Sequence, residues 1–262
     1  MVAVITSNAD FIETDFELGL IFSRGFEMVR IIYIIFISLF SSSAFAIVNG
    51  HVPTVDDPIA ARTAALFRVL NDDRYSACTI ALLDGGFAIT AAHCVANLAS
   101  GEVWFVNSYP ELQKSQTEQN FSRRRKVLSW RTPNDYAKNP NPANDIALLR
   151  FEGDLPGDVL SFQMPRKKIT EAKVFSIAGF GYQSQLEENP DGLLRVVNLP
   201  SSAFISPGHE AYFSFDQAGV GGACAGDSGA PLATEENGII VLAGIVGGGL
   251  GVDRQGKRLE LK

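Results

Sequence analysis

Gly226-Asp227-Ser228-Gly229-Ala230-Pro231 sets one hydroxyl on a glycine-flanked turn, where the backbone N–H groups of Gly226 and Ser228 can point at one spot. Serine is unreactive alone. It needs a base to accept its proton, an acid to fix the tautomer of that base, and donors for the oxyanion. Upstream, Thr90-Ala91-Ala92-His93-Cys94 places a histidine among small residues, so the backbone can pack beneath an imidazole that stays accessible. Between them, Asn144-Asp145-Ile146-Ala147-Leu148-Leu149 puts a carboxylate at the head of an apolar strand, partly buried yet able to pair. Singly, a turn or strand-start role accounts for Asp145 and Ser228 equally well. Jointly, in the order His, Asp, Ser, the three stretches describe nucleophilic catalysis. The other histidines, His51 and His209, lack such flanks.

Around these stretches the chain is punctuated by turns. It holds 24 Gly and 12 Pro in 262 residues. Short β-type runs cover 64–70, 77–83, 87–90, 103–107, 126–130, 146–151, 173–178, 193–199, 211–215 and 239–246. Many short strands between turn signals predict an all-β barrel or sandwich. Trp104 and Trp130 lie in apolar strand-like runs and are expected in the core, and Arg123-Arg124-Arg125-Lys126 is expected as an exposed loop. The formal net charge is -7, and an acidic surface argues against nucleic acid as a partner. No His/Cys/Asp cluster has metal-ligand spacing and no phosphate loop appears, so no metal and no cofactor is expected.

The α/β-hydrolases are excluded by motif order, since they run Ser, Asp, His and want a second Gly where this chain has Ala230. With Ile47-Val48-Asn49-Gly50 added to TAAHC at 90–94, DIALL at 145–149 and GDSGAP at 226–231, the chain resembles the chymotrypsin/trypsin family of secreted serine proteases. The resemblance implies an all-β fold of two antiparallel six-stranded-type β-barrels with the site in the cleft between them, the second barrel incomplete at the C-terminus. The first barrel is placed at about 47–153 and the second at about 159–262, joined through Gly153-Asp154-Leu155-Pro156-Gly157-Asp158. It also implies Ser228 as nucleophile, His93 as general base and then acid, and Asp145 as the orienting carboxylate. Gly226 and Ser228 would form the oxyanion hole, and Asp227 would turn inward to pair with the amine of Ile47 once that residue is a terminus.

A leader precedes Ile47. Residues Ile31 to Phe40 form an apolar run of 10, after Met28-Val29-Arg30 and before Ser41-Ser42-Ser43 and the small-x-small tripeptide Ala44-Phe45-Ala46. That is a signal-peptide layout over 28–46, too short for a membrane span of about 20 apolar residues. Residues 1–27, with Asp10, Glu13, Asp15, Glu17 and Glu27, carry the wrong charge for a leading region and read as a mis-assigned start. Cleavage between Ala46 and Ile47 would therefore export and activate in one cut, giving a secreted or periplasmic protein without a stable membrane anchor. The remaining chain carries 20 basic against 24 acidic residues.

The family resemblance further implies a disulfide between Cys78 and Cys94, and it aligns Cys224 with a cysteine whose partner lies across the specificity pocket. No cysteine follows Cys224. Gly222 would sit at the base of that pocket, with Gly247 and Gly249 along its wall. Glycine carries no charge there, so small or apolar side chains are expected before the scissile bond rather than Lys or Arg. The expected partners are protein or peptide substrates and protein inhibitors. Because only 34 residues follow Ser228, a truncated, non-catalytic homologue serving as a binding protein or inactive remnant is the second expectation.

Overall fold

The computed structural model describes residues 2–5, 47, 49–54, 56–70, 75–105, 123–138, 140, 144–166, 169, 172, 174–181, 192–205, 213–216, 221–247, 251–252 and 258–259. The leader 28–46, His209 and Gly249 lie outside them. In chain order the first strands are β1 (Val2–Ile5), β2 (Thr63–Leu70), β3 (Tyr75–Leu83), β4 (Phe87–Thr90) and β5 (Leu98–Trp104). Next come β6 (Arg124–Arg131), β7 (Ala147–Phe151), β8 (Val174–Gly179), β9 (Arg195–Pro200) and β10 (Phe204–Ile205). The last are β11 (Phe213–Asp216), β12 (Pro231–Glu236), β13 (Ile239–Ile245), β14 (Gly251–Val252) and β15 (Arg258–Leu259).

Strand β7 shows why such segments form. Ala147, Leu149 and Phe151 are buried while Leu148 and Arg150 face outward, the period-two alternation of a strand with one face in a core. Burying a Leu or Phe side chain stabilises by about 1.5–3 kcal/mol, so a slip of one residue would forfeit the whole face. Strands β2-β3-β4-β7-β6-β5 close into a barrel, because β2 pairs with both β3 and β5 and leaves no edge. Phe67 stacks on Trp104 with ring centroids 4.6 Å apart, and Phe105 meets Phe151 edge-on at 5.8 Å.

The second half is a four-stranded sheet in the order β13-β12-β8-β9, which among the described residues does not close. Strand β12 was not expected. It starts at Pro231 directly after the Ser228 turn, a position where proline is tolerated because only the first residue lacks its donor. Strand β1 runs parallel to β11 and β14 pairs with β15, apart from both larger units. The segment that begins at Ile47 joins the second sheet. Its Ile47 side chain is fully buried with Ile177, Val197, Leu199, Ala230 and Leu232, and His51 exchanges two backbone hydrogen bonds of 2.9 Å with Val196 on β9.

Two expectations fail here. Trp104 is buried, but Trp130 is 39% exposed on the outer face of β6. Apolarity of a run does not say which face a residue takes: Val127 packs against the barrel core, while past the register shift between Val127 and Ser129 the strand is exposed, Trp130 with it. The run Arg123–Lys126 is not a loop either, since it leads into β6. Its guanidiniums find aromatic faces: Arg124 lies over Trp104 at 5.7 Å and Arg125 over Phe105 at 5.8 Å, while Arg123 bonds Asp158 at 2.6 Å.

Candidate active site

A single helical turn, Ala92–Val95, follows β4 and carries His93. The turn is pinned from several sides. Its Cys94 is joined to Cys78 of β3, and Asp145, just before β7, accepts both the backbone N–H of His93 at 2.9 Å and a bond to its ring Nδ1 at 2.8 Å. A carboxylate holding Nδ1 directs Nε2 outward as the acceptor, the tautomer that a general base needs. Asp145 is 6% exposed, so the carboxylate is largely desolvated while the His93 ring keeps an open face to solvent. The Tyr136 hydroxyl bonds the same carboxylate. Burial first, then the charge and hydrogen bond of Asp145, push the Tyr136 phenol up to about 12. Sequence reading missed Tyr136, which lies nine positions from Asp145 in a segment without periodic signal.

The Ser228 turn is sewn onto the barrel through one residue. Thr79, fully buried on β3, donates its backbone N–H to the Ser228 carbonyl at 2.9 Å and its hydroxyl to the Gly226 carbonyl at 3.2 Å. The same hydroxyl accepts the N–H of Phe180 at 3.2 Å, and the Thr79 carbonyl accepts the hydroxyl of Thr90 at 2.9 Å. Thr79 was also missed; adjacency to Cys78 was its one signal. Gly229, at φ +81°, must be glycine, for a β-carbon there would overlap Thr90 Oγ1 and the Thr79 carbonyl oxygen. The Cys94 sulfur lies 3.7 Å from the Ser228 carbonyl oxygen and 3.8 Å from His93 Nε2. As disulfide sulfur it has no proton to give, so these are contacts that bring the serine and histidine turns together. Among the described residues no hydrogen bond joins Ser228 Oγ to His93 Nε2, and the N–H groups of Gly226 and Ser228 meet no protein acceptor.

Asp227 points away from solvent and is fully buried. Its carboxylate accepts the N–H of Gly181 and of Cys224, each at 2.8 Å. Room for it exists because Gly181 lacks a side chain: a β-carbon there would stand 2.5 Å from Asp227 Cγ. Burial pushes the Asp227 carboxyl up to about 7 against the opposing pull of the two N–H groups and of Arg195. The nitrogen of Ile47 is here a peptide nitrogen, which cannot supply the ammonium partner. Its side chain nevertheless already occupies the cluster that holds Ala223 and Ala230, on either side of Asp227.

Gly222 and Gly247 are both buried. The residues beside them, Ala223 and Val246, share one cluster, and Gly229 donates to the Val246 carbonyl at 2.7 Å. Cys78, His93 and Cys94 place ligand-type atoms within 4.8 Å of one another, but sulfurs joined to each other are not thiolates, so the group is no metal centre. A groove of about 820 Å³ bordered by Arg62, Asp158, Gln163, Glu235 and Ile240 contains none of His93, Asp145, Asp227 and Ser228.

The family model for trypsin matches residues 58–260. The chain belongs to the trypsin family. It is 32% identical to trypsin-1 of Astacus astacus over 193 residues, covering 68% of this chain and 79% of that protein. It is 28% identical to protein masquerade of Drosophila melanogaster over 206 residues, 68% of this chain but only 18% of that protein's length. In three dimensions it is similar to the solved structure of HL collagenase, with a TM-score of 0.57 at 20% identity, over 76% of this chain and 85% of that one. The trypsin-family domain is thus a mostly-strand, chymotrypsin-like fold with one closed barrel and a second sheet that does not close among the described residues. Among the described residues, no helix is long and apolar enough to cross a membrane.

Proposed function

We propose that this trypsin-family chain is a secreted serine endopeptidase that hydrolyses peptide bonds through an acyl-enzyme on Ser228. The observation that carries the reading is the two-point grip of Asp145 on His93, at 2.8 and 2.9 Å, beside a serine turn anchored to the same disulfide-linked segment. In this mechanism His93 Nε2 takes the Ser228 proton as Oγ attacks the substrate carbonyl, and Asp145 stabilises the imidazolium that forms. The oxyanion falls to the N–H groups of Gly226 and Ser228, each such donor contributing about 3–4 kcal/mol to the transition state. His93 then returns the proton to the leaving amine, and water repeats the sequence to free the enzyme.

Export completes the site on this reading. Cutting after Ala46 turns the Ile47 nitrogen into a cation beside a carboxylate that is already buried, and their pairing holds the Gly226 turn. Gly222, Gly247 and Gly249 leave the pocket uncharged, so small or apolar side chains precede the cut bond. We assign the first barrel to about 47–153, its leading residues 47–51 crossing to the second sheet, and the second barrel to about 159–262, with 28–46 removed as the signal peptide.

The second reading, a non-catalytic homologue that binds proteins, is favoured by the missing hydrogen bond between Ser228 Oγ and His93 Nε2. Slack of this kind is common before substrate binds and tightens afterwards, which is why the catalytic reading is preferred. A fluorophosphonate probe separates the two. The trimmed protein is expected to label stoichiometrically at Ser228, Ser228→Ala is expected to abolish labelling, and a folded wild type that stays unlabelled sinks the endopeptidase reading. Mass spectrometry of the secreted chain should find Ile47 at its terminus.

A further inference from the structure

Arg68 of β2 is an arginine almost wholly enclosed, 9% exposed, inside the half of the molecule that carries the histidine turn. Its guanidinium donates from Nη1 to the backbone carbonyls of Cys94 at 2.8 Å and His93 at 3.2 Å. From Nη2 it donates to Ser76 Oγ at 2.7 Å, and Ser76 is its register partner across β2 and β3. No carboxylate is among these acceptors. Arginine cannot shed its proton in a protein, so among the described residues the buried charge is met by dipoles alone. Burial pulls the Arg68 pKa down, in keeping with that environment.

The carbonyls it meets belong to the end of the turn Ala92–Val95. A helix of one turn satisfies almost none of its own carbonyls; here Ala96 reaches only that of Ala92. Cations favour such an end, and a planar fork with several donors fixes two neighbouring carbonyls in direction as well as distance. The Nε of Arg68 is itself buried without a partner. A group chosen for stability alone would not carry that penalty, since an apolar side chain of similar volume is usually neutral or better in place of a buried charge.

We propose that Arg68 is a positioning residue for the hydrolytic reaction: by clamping the carbonyls of His93 and Cys94 it sets the angle at which the His93 ring faces Ser228. Asp145 holds the ring from the β7 side and Arg68 holds its backbone from the β2 side. Removing the clamp leaves the disulfide and the His93 N–H bond to Asp145 to hold the turn, so the His93–Asp145 pair can tilt further as a unit. The proposal rests on the endopeptidase reading for its kinetic arm and stands apart from it for its spectroscopic arm.

The test compares wild type, Arg68→Met and Arg68→Lys as trimmed, disulfide-bonded proteins. With a fluorophosphonate probe, Arg68→Met is expected to label Ser228 at least tenfold more slowly per folded molecule, with the probe's half-saturating concentration changed less than twofold. Arg68→Lys, which keeps the charge and can reach one carbonyl, should recover to within threefold of wild type. An Arg68→Met rate within twofold of wild type overturns the clamp. Proton NMR follows the hydrogen-bonded Nδ1–H of His93, whose exchange with water should quicken at least threefold in Arg68→Met; unchanged exchange also overturns it. A wild type that does not label defeats the endopeptidase reading, and the NMR comparison then decides the clamp alone. Should Arg68→Met not fold, Arg68→Gln, which lacks the charge and the planar fork, takes its place under the same thresholds, and a labelling rate within twofold of wild type or unchanged exchange rejects the proposal.

Discussion

At the scale of single residues, the site is a set of polar groups that must be matched inside a largely apolar interior. Asp145 answers to the backbone and ring of His93 and to the hydroxyl of Tyr136. Removing that hydroxyl leaves a mostly buried carboxylate with one donor fewer. Tyr136→Phe should therefore cost about 1.5 kcal/mol of stability, the low end for a bond to a charged group because the tyrosine is only partly buried. Urea denaturation would register it, together with a several-fold slower labelling of Ser228; an unchanged midpoint and rate would remove Tyr136 from the site. The histidine, aspartate and serine were legible in the sequence because each sits in a local context with its own chemical signature. Tyr136, Thr79 and Arg68 were not, because their partners are chosen by proximity in space.

At the scale of elements, strand β3 does the joining. Cys78 ties it to the histidine turn and Thr79 ties it to the serine turn, with Gly226 lying 147 positions away in sequence. Thr79→Val keeps the shape and removes the hydroxyl, so the Gly226 carbonyl and the Phe180 N–H each lose one hydrogen bond. Two such bonds should cost about 1–3 kcal/mol together. Labelling of Ser228 should slow by about tenfold if each misplaced oxyanion donor is worth even part of its usual share. Thermal unfolding and labelling rate measured on one preparation check both effects, and a stable variant of full reactivity would show that the serine turn is held elsewhere. Nine of the ten expected strands have counterparts within two residues at each end, since alternation of apolar and polar side chains is a local pattern, while 103–107 meets β5 only at Val103 and Trp104. Strand β12 escaped because its opening proline and the preceding glycines read as turn chemistry.

At the scale of the whole molecule, the buried Asp227 couples stability to pH and to the state of the chain before Ile47. With the Ala46–Ile47 bond intact, its carboxyl stands near 7 instead of its ordinary 3.8, so the folded chain holds a proton that the unfolded chain has released. Stability from this group is then full below about pH 4 and falls as pH rises toward about 7. Once the Ile47 amine is free and paired, the carboxyl should drop below its ordinary value, and the dependence reverses, with stability lost as pH falls. Unfolding midpoints of the intact and trimmed chains between pH 3 and 8 would show opposite slopes; parallel slopes would mean that the amine never reaches Asp227. Family membership, the order of the His93, Asp145 and Ser228 motifs and the prevalence of short strands were determined by the sequence itself, because they rest on residue type and near-neighbour spacing. Only the tertiary structure decided that Ile47 packs with the second sheet, that Thr79 joins the two halves, that the basic run stacks on aromatics and that Trp130 faces outward. Those outcomes depend on which surfaces are buried against which others, and burial is a property of the packed chain that no local stretch of residues carries.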